Sequence, residues 1–208
     1  MDSAQPGKAL QRAREDQKLL DRWRSGDTSA FEELFRRHQR RVYSLAYRLT
    51  GSQADAEDIT AETFARAFDR LNSLRDGAKF LPWLYRVATN LCRDQGRRKS
   101  FRKTFSYDQA SEDSGGDTLA EQVSDITTEP LEMAVQAETA EEVARAIAKL
   151  PDWQREAVVL FYLEDKSVEE VADTLDISPG TVKSRLSRAR DALKKIIKPF
   201  VHETGELK

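Results

Sequence analysis

Two sets of side chains in this 208-residue sequence could do chemistry. In the first, Trp83, Arg86, Asn90, Arg93 and Arg97 recur at three- and four-residue spacing, so one helix stripe would carry an aromatic ring, an amide and three guanidinium groups. It then runs into Arg98, Lys99, Arg102 and Lys103. Such a stripe suits unpaired bases, because every base offers a π-face and its phosphate takes a cation. The same residues also fit a buried Trp83 beside cations favoured by a helix C-terminus, and spacing alone leaves the two readings level.

The second set is the face of a later helix. Lys183, Ser184, Ser187 and Arg188 lie opposite the apolar arc Val182, Leu186, Ala189, Leu193, Ile196 and Ile197, with Thr181, Arg185, Arg190 and Lys194 beside them. Ser167-Val-Glu-Glu170 reads as a capping box opening a short helix. Asp176-Ile177-Ser178 reads as a tight turn, with Ser178 as N-cap and Pro179 as first helical residue. A short helix, a tight turn and a basic helix describe a helix-turn-helix, whose second helix enters a groove about 12 Å wide. Hydroxyls near its N-terminus reach base edges while Arg and Lys find phosphates. The bland alternative is a helical hairpin with a basic surface.

Other chemistries are missing from the sequence. A lone Cys92 forms no internal disulfide, and any redox role for it is remote. His38 and His202 have no ligand-like spacing, and His38 falls on the apolar arc of its helix, where it reads as a core residue. The nine glycines make no phosphate-binding loop. No catalytic residue, metal site or cofactor is expected, which argues against an enzyme. No run approaches the roughly 18 apolar residues of a membrane span, so no membrane insertion is expected. Met1 to Gln17 lacks the apolar region of a secretory signal, and the chain reads as cytoplasmic.

These stripes need elements to carry them, and the charge pattern outlines those elements. The formal charge of −2 conceals +8 over residues 1–104, −11 over 105–142 with no basic residue, and +1 over 143–208. The stretch from Gly180 to Lys198 alone carries seven basic residues and one acidic. The fold class is therefore all-α, with two small helical modules joined by a flexible acidic linker. The divisions fall at 1–18 (an extension of unknown role), 19–104, 105–131 (the linker), 132–200 and 201–208 (a tail). Pro130, Pro151 and Pro179 sit where helices can begin, and Pro199 where one should end. In the first module, Phe31, Leu34, Phe35, His38, Val42, Leu45 and Leu49 keep helical spacing after a possible capping box from Ser29 to Glu32. After Thr50-Gly51-Ser52, a second helix has Ile59, Phe64, Ala67, Phe68 and Leu71 on one side. Asp55, Glu57, Asp58 and Glu62 lie on its other side and first turn, which alone reads as a solvated face.

Three stretches together resemble the sigma factors of bacterial RNA polymerase, and more narrowly the compact extracytoplasmic-function (ECF) group. Asp55-Ala-Glu-Asp-Ile-Thr-Ala-Glu-Thr-Phe64 resembles the helix that binds core polymerase. Phe80-Leu-Pro-Trp-Leu-Tyr-Arg-Val-Ala-Thr-Asn90 resembles the segment leading out of the −10 element loop. Gly180-Thr-Val-Lys-Ser-Arg-Leu-Ser-Arg-Ala-Arg190 resembles the −35 recognition helix. The likeness covers about residues 20–104 and 132–198.

The resemblance implies partners and roles. Asp55, Asp58 and Glu62 would dock on core RNA polymerase. The loop from Asn72 to Lys79 would hold a base flipped from the melted −10 strand, with Trp83, Tyr85, Arg86, Val87, Ala88, Asn90, Arg93 and Arg97 as the −10 set. Thr181, Lys183, Ser184, Arg185, Ser187 and Arg188 would read −35 promoter DNA. The acidic linker would enter the polymerase's RNA channel, and a cognate anti-sigma factor would silence the protein. Periodicity disagrees with the resemblance at one position, because a helical wheel sets Tyr85 well away from Trp83, Arg86 and Asn90. A DNA-binding regulator that works without polymerase is the rival reading. An enzyme acting on nucleic acid lacks the necessary carboxylates and histidines.

Overall fold

The structure, a computed structural model, describes residues 5–74, 76–105 and 141–203. All regular elements among them are helical, as the periodicity predicts. Their order is α1 (Gln5–Arg24), α2 (Ser29–Thr50), α3 (Gln53–Arg70), α4 (Phe80–Phe105), α5 (141–148), α6 (Asp152–Val158), α7 (Val168–Leu175) and α8 (Pro179–Glu203). They form two compact units, one on α1 to α4 and one on the later helices. The acidic linker falls outside the described residues.

In the first unit α2 packs on α1, α3 and α4, and α3 packs on α4. The arc read from α2 is the buried one, with Leu34, His38, Val42, Leu45 and Leu49 enclosed. Ile59 and Phe64 of α3 and Phe80, Leu84 and Tyr85 of α4 complete the core. Each such Leu or Phe contributes about 1.5–3 kcal/mol by leaving water. Gly51 ends α2 at φ 67°, its N–H bonded to the Tyr47 carbonyl at 2.8 Å, the left-handed cap that glycine adopts without strain.

Three expectations are corrected. The capping box from Ser29 to Glu32 does not form, because the Asp27 carboxylate takes both the Ser29 N–H at 3.0 Å and its hydroxyl at 2.6 Å, while Glu32 pairs with Arg36. The division at residue 18 falls inside α1, which is part of the core. Leu19 and Leu20 are buried, and Asp16 meets His38. Finally, α8 runs through Pro199 to Glu203, since a proline removes one ladder bond without forbidding helix beyond it.

A short segment made of two single turns, Leu71–Ser73 and Gly77–Lys79, links α3 to α4 and is backed by α1. The Trp23 indole N–H donates to Asn72 Oδ1 at 2.8 Å, and the Arg24 guanidinium donates to the Leu74 carbonyl. Gly77 donates its N–H to Gln17 Oε1 at 2.7 Å, and a Cβ there would lie 2.4 Å from the Gln17 backbone nitrogen. Glycine is required by that approach.

In the second unit α6 packs on α8, and Ala157, Val158, Leu160, Val171, Leu175, Val182, Leu186 and Ala189 are buried. Helix α6 is regular only to Val158. It then widens over Val159–Leu163, where the Glu164 N–H reaches back five residues to the Val159 carbonyl at 3.0 Å.

Candidate nucleic-acid interface

The tight turn before α8 has the predicted chemistry. Ser167 N–H donates to Glu170 Oε2 at 2.9 Å and Glu170 N–H to Ser167 Oγ at 3.1 Å, a reciprocal box opening α7. Burial opposes the Glu170 charge, but the Ser167 N–H and Lys166 outweigh it and hold this carboxyl below its usual range. Asp176 takes a left-handed φ of 56°, and the Ile177 N–H closes back on the Ala172 carbonyl at 3.1 Å. Ser178 Oγ then accepts the Thr181 N–H at 3.1 Å and lies 2.9 Å from the Thr181 hydroxyl.

These caps aim one face of α8 outward. Thr181, Lys183, Ser184, Ser187 and Arg188 are exposed, while Val182 and Leu186 are buried beneath them. Arg188 lies over the exposed Trp153 ring of α6, 5.9 Å from its centroid. Arg185 differs from the rest of the expected −35 set. It turns back to α6, 3.6 Å from the buried Glu156 carboxylate and 3.4 Å from the Trp153 carbonyl. Nothing in the wheel of α8 gives this, since the partner lies on another helix.

The first unit holds an open cleft of about 380 Å³ between α3 and α4, lined by Trp83, Arg86, Val87 and Asn90 of α4 and by Arg66, Asp69 and Arg70 of α3. Sequence reasoning missed the three α3 residues, although Arg66 and Arg70 stand four apart on the polar side of that helix. Of the other residues expected there, Arg93 donates to Asn90 Oδ1 at 3.4 Å and Arg97 pairs with Asp94, farther along α4. Tyr85 and Ala88 are buried in the bundle, so their side chains do not line the cleft. The wheel was right to separate Tyr85 from the stripe. Cys92 is also buried.

The acidic side of α3 is divided. Asp58 and Glu62 are exposed, and Glu62 accepts from Arg66 at 2.8 Å. Asp55 is buried against α4, where Gln95 donates to it at 3.0 Å and Lys99 pairs with it. It therefore does not share the solvent-facing surface of the other two acids.

Comparison with known proteins matches both units in order. Residues 34–102 match Sigma-70 region 2, and residues 140–193 match Sigma-70 region 4. The chain is 35% identical over 178 residues to the ECF RNA polymerase sigma factor SigW of Bacillus subtilis, covering 86% of this chain and 94% of that one. It is 35% identical over 190 residues to the ECF RNA polymerase sigma-E factor of Escherichia coli K12, covering 89% and 96%. Among solved structures, CnrH bound to the cytosolic domain of CnrY aligns at 26% identity and a TM-score of 0.60, over 89% of this chain and 98% of that one. The sigma factor RpoE bound to the anti-sigma factor NepR, from Bartonella quintana, shares the fold at 23% identity and a TM-score of 0.63, over 81% and 96%. Two family matches in register, and relatives matched over nearly their whole length, settle the assignment: the chain belongs to the ECF sigma factors, which direct bacterial RNA polymerase to promoters.

Proposed function

We propose that this sigma factor reads its promoter through two surfaces that core polymerase brings to one DNA, and that it melts the −10 element by binding rather than by nucleotide hydrolysis. The observation that carries the reading is the α3–α4 cleft, where an aromatic ring stands among three arginines. A base leaving the duplex loses stacking of a few kcal/mol, and a ring with flanking cations returns a similar amount, about 1–3 kcal/mol per base. Trp83 supplies the ring, and Arg66, Arg70 and Arg86 sit where phosphates flank it. The Asn72–Lys79 segment and Arg93 and Arg97 extend the same −10 surface. Tyr85 and Ala88 act from within the bundle by supporting it.

The −35 element is read by Lys183, Ser184, Ser187 and Arg188 on α8, with Thr181 at its capped end. Asp58 and Glu62 give α3 an exposed acidic face for core polymerase. The protein works in the cytoplasm as an initiation factor and not as a catalyst. Two solved relatives are held by partner proteins, and a cognate anti-sigma factor is the corresponding partner here. Its domains are a region 2 module, the acidic linker and a region 4 module.

A pull-down with core polymerase followed by run-off transcription tests the reading. The expected result is a holoenzyme that initiates at one class of promoter. Sequence-specific binding of free DNA with no affinity for core would overturn it in favour of a polymerase-independent regulator.

A further inference from the structure

We infer that Asp55 is a positioning residue that fixes the cleft from the far end of the α3–α4 pair, rather than an acid that touches polymerase; the inference rests on the sigma reading above. Three contacts converge on Asp55. Ser52 Oγ accepts its backbone N–H at 3.3 Å, Gln95 Nε2 donates to Oδ1 at 3.0 Å, and Lys99 Nζ pairs with Oδ2. The carboxylate is enclosed, whereas Asp58 and Glu62 on the same helix stand in solvent. Burial opposes its charge, yet the hydrogen bonds from Lys99 and Gln95 keep its pKa below the usual carboxylate range. Two of these contacts hold the carboxylate itself, and its enclosure leaves an outside partner little access to its remaining acceptor sites.

What it can do is set an angle. Asp55, at the start of α3, meets Gln95 and Lys99 towards the end of α4. Asp69 and Arg70, at the end of α3, share the cleft with Trp83 and Arg86 near the start of α4. The two helices therefore run antiparallel. The tie and the cleft are separated along α3 by roughly 20 Å, from a rise of about 1.5 Å per residue. Because the two helices pack against each other, a change at the Asp55 end is transmitted towards the cleft, and loss of the tie should shift α4 against α3. The docking acids sit on α3 and the stacking ring on α4. Asp55 thereby joins the element that travels with polymerase to the element that captures the melted strand.

The test compares Asp55→Asn, Lys99→Gln and their combination, in full-length protein assembled with core polymerase. Core affinity is read by competition binding, and −10 opening by permanganate reactivity on a mapped promoter and on the same promoter with a pre-opened mismatch bubble. Both single variants should bind core within about twofold of wild type. Both should open the duplex promoter about tenfold less well, and the double variant should be no worse than either single one. The bubble should restore most of the loss, and Lys99→Arg should recover what Lys99→Gln loses. A tenfold loss of core affinity for Asp55→Asn with Lys99→Gln unaffected would make Asp55 a polymerase contact and overturn the inference. Unchanged opening in both variants would do the same. If Asp55→Asn does not fold, Lys99→Gln decides the matter from the exposed side. Wild-type protein that fails to act even on the bubble counts instead against the sigma reading itself.

Discussion

Asp16 and His38 face each other inside the N-terminal unit, the carboxylate oxygen 3.0 Å from the imidazole Nε2, with both side chains almost wholly enclosed. The pair joins α1 to α2, and Arg37 stands 3.6 Å from the same carboxylate. Asp16→Ala leaves a buried ring nitrogen without its partner, an omission that costs about 1–3 kcal/mol. Urea unfolding of the N-terminal unit should record that loss. Deletion of residues 1–18 should cost more, because it removes Asp16 together with the part of α1 that meets Gly77. A deletion that leaves the midpoint in place would show that α1 is dispensable.

Gly77 offers a sharper test of the same packing. A methyl group there would meet the Gln17 backbone at 2.4 and 2.7 Å, distances that only a displacement of α1 can relieve. Gly77→Ala should destabilise the unit by about 1–3 kcal/mol, the usual cost of overpacking. Amide exchange should report faster opening of α1, and wild-type protection there would refute the contact.

The box at Ser167 and Glu170 predicts a pH dependence. The folded pKa of Glu170 is depressed, so its contribution is present above the ordinary carboxylate range and disappears as the pH falls through the folded value. Glu170→Gln should melt below the wild type at neutral pH and coincide with it in acid. Ser167→Ala should cost about 1 kcal/mol, as caps do, and its loss can be read in the melting of the C-terminal unit.

Arg185 and Lys183 should separate stability from recognition. Arg185→Ala removes the cation facing buried Glu156, so it should lower the melting temperature of the C-terminal unit as well as promoter activity. Lys183→Ala exposes nothing new and should leave the melt unchanged while lowering −35-dependent reporter activity by about tenfold. Equal reporter activity for Lys183→Ala and wild type would remove it from the reading set.

Much of the fold was legible because its signals are local. Ser178 with Pro179, Ser167 with Glu170, and Gly51 after Thr50 each declare a helix end within four residues, and the structure has all three. The wheel of α4 also sorted Tyr85 from Trp83 correctly. What escaped depends on distant partners. Asp55 looks solvated until Lys99, 44 residues away, folds against it. Arg185 looks free on the surface of α8 until Glu156 appears beneath it. Residues 1–18 carry too few apolar side chains to announce a helix, and Gln17 acquires a role only where Gly77 arrives. The α3 side of the cleft was missed for the same reason, since Arg66, Asp69 and Arg70 become a site only beside Trp83.

The backing of the α3–α4 connection by α1 has a thermodynamic consequence for DNA capture. A free loop of this length would have to surrender backbone freedom of about 1–2 kcal/mol for every residue it ordered around a base. Here Asn72, Leu74 and Gly77 are already tied to Trp23, Arg24 and Gln17 before any DNA arrives. On the proposed reading of this segment as a base-holding surface, that entropy is lost during folding and not on binding the promoter. Substitutions that loosen α1 should therefore slow promoter opening even where they spare every residue that touches a base.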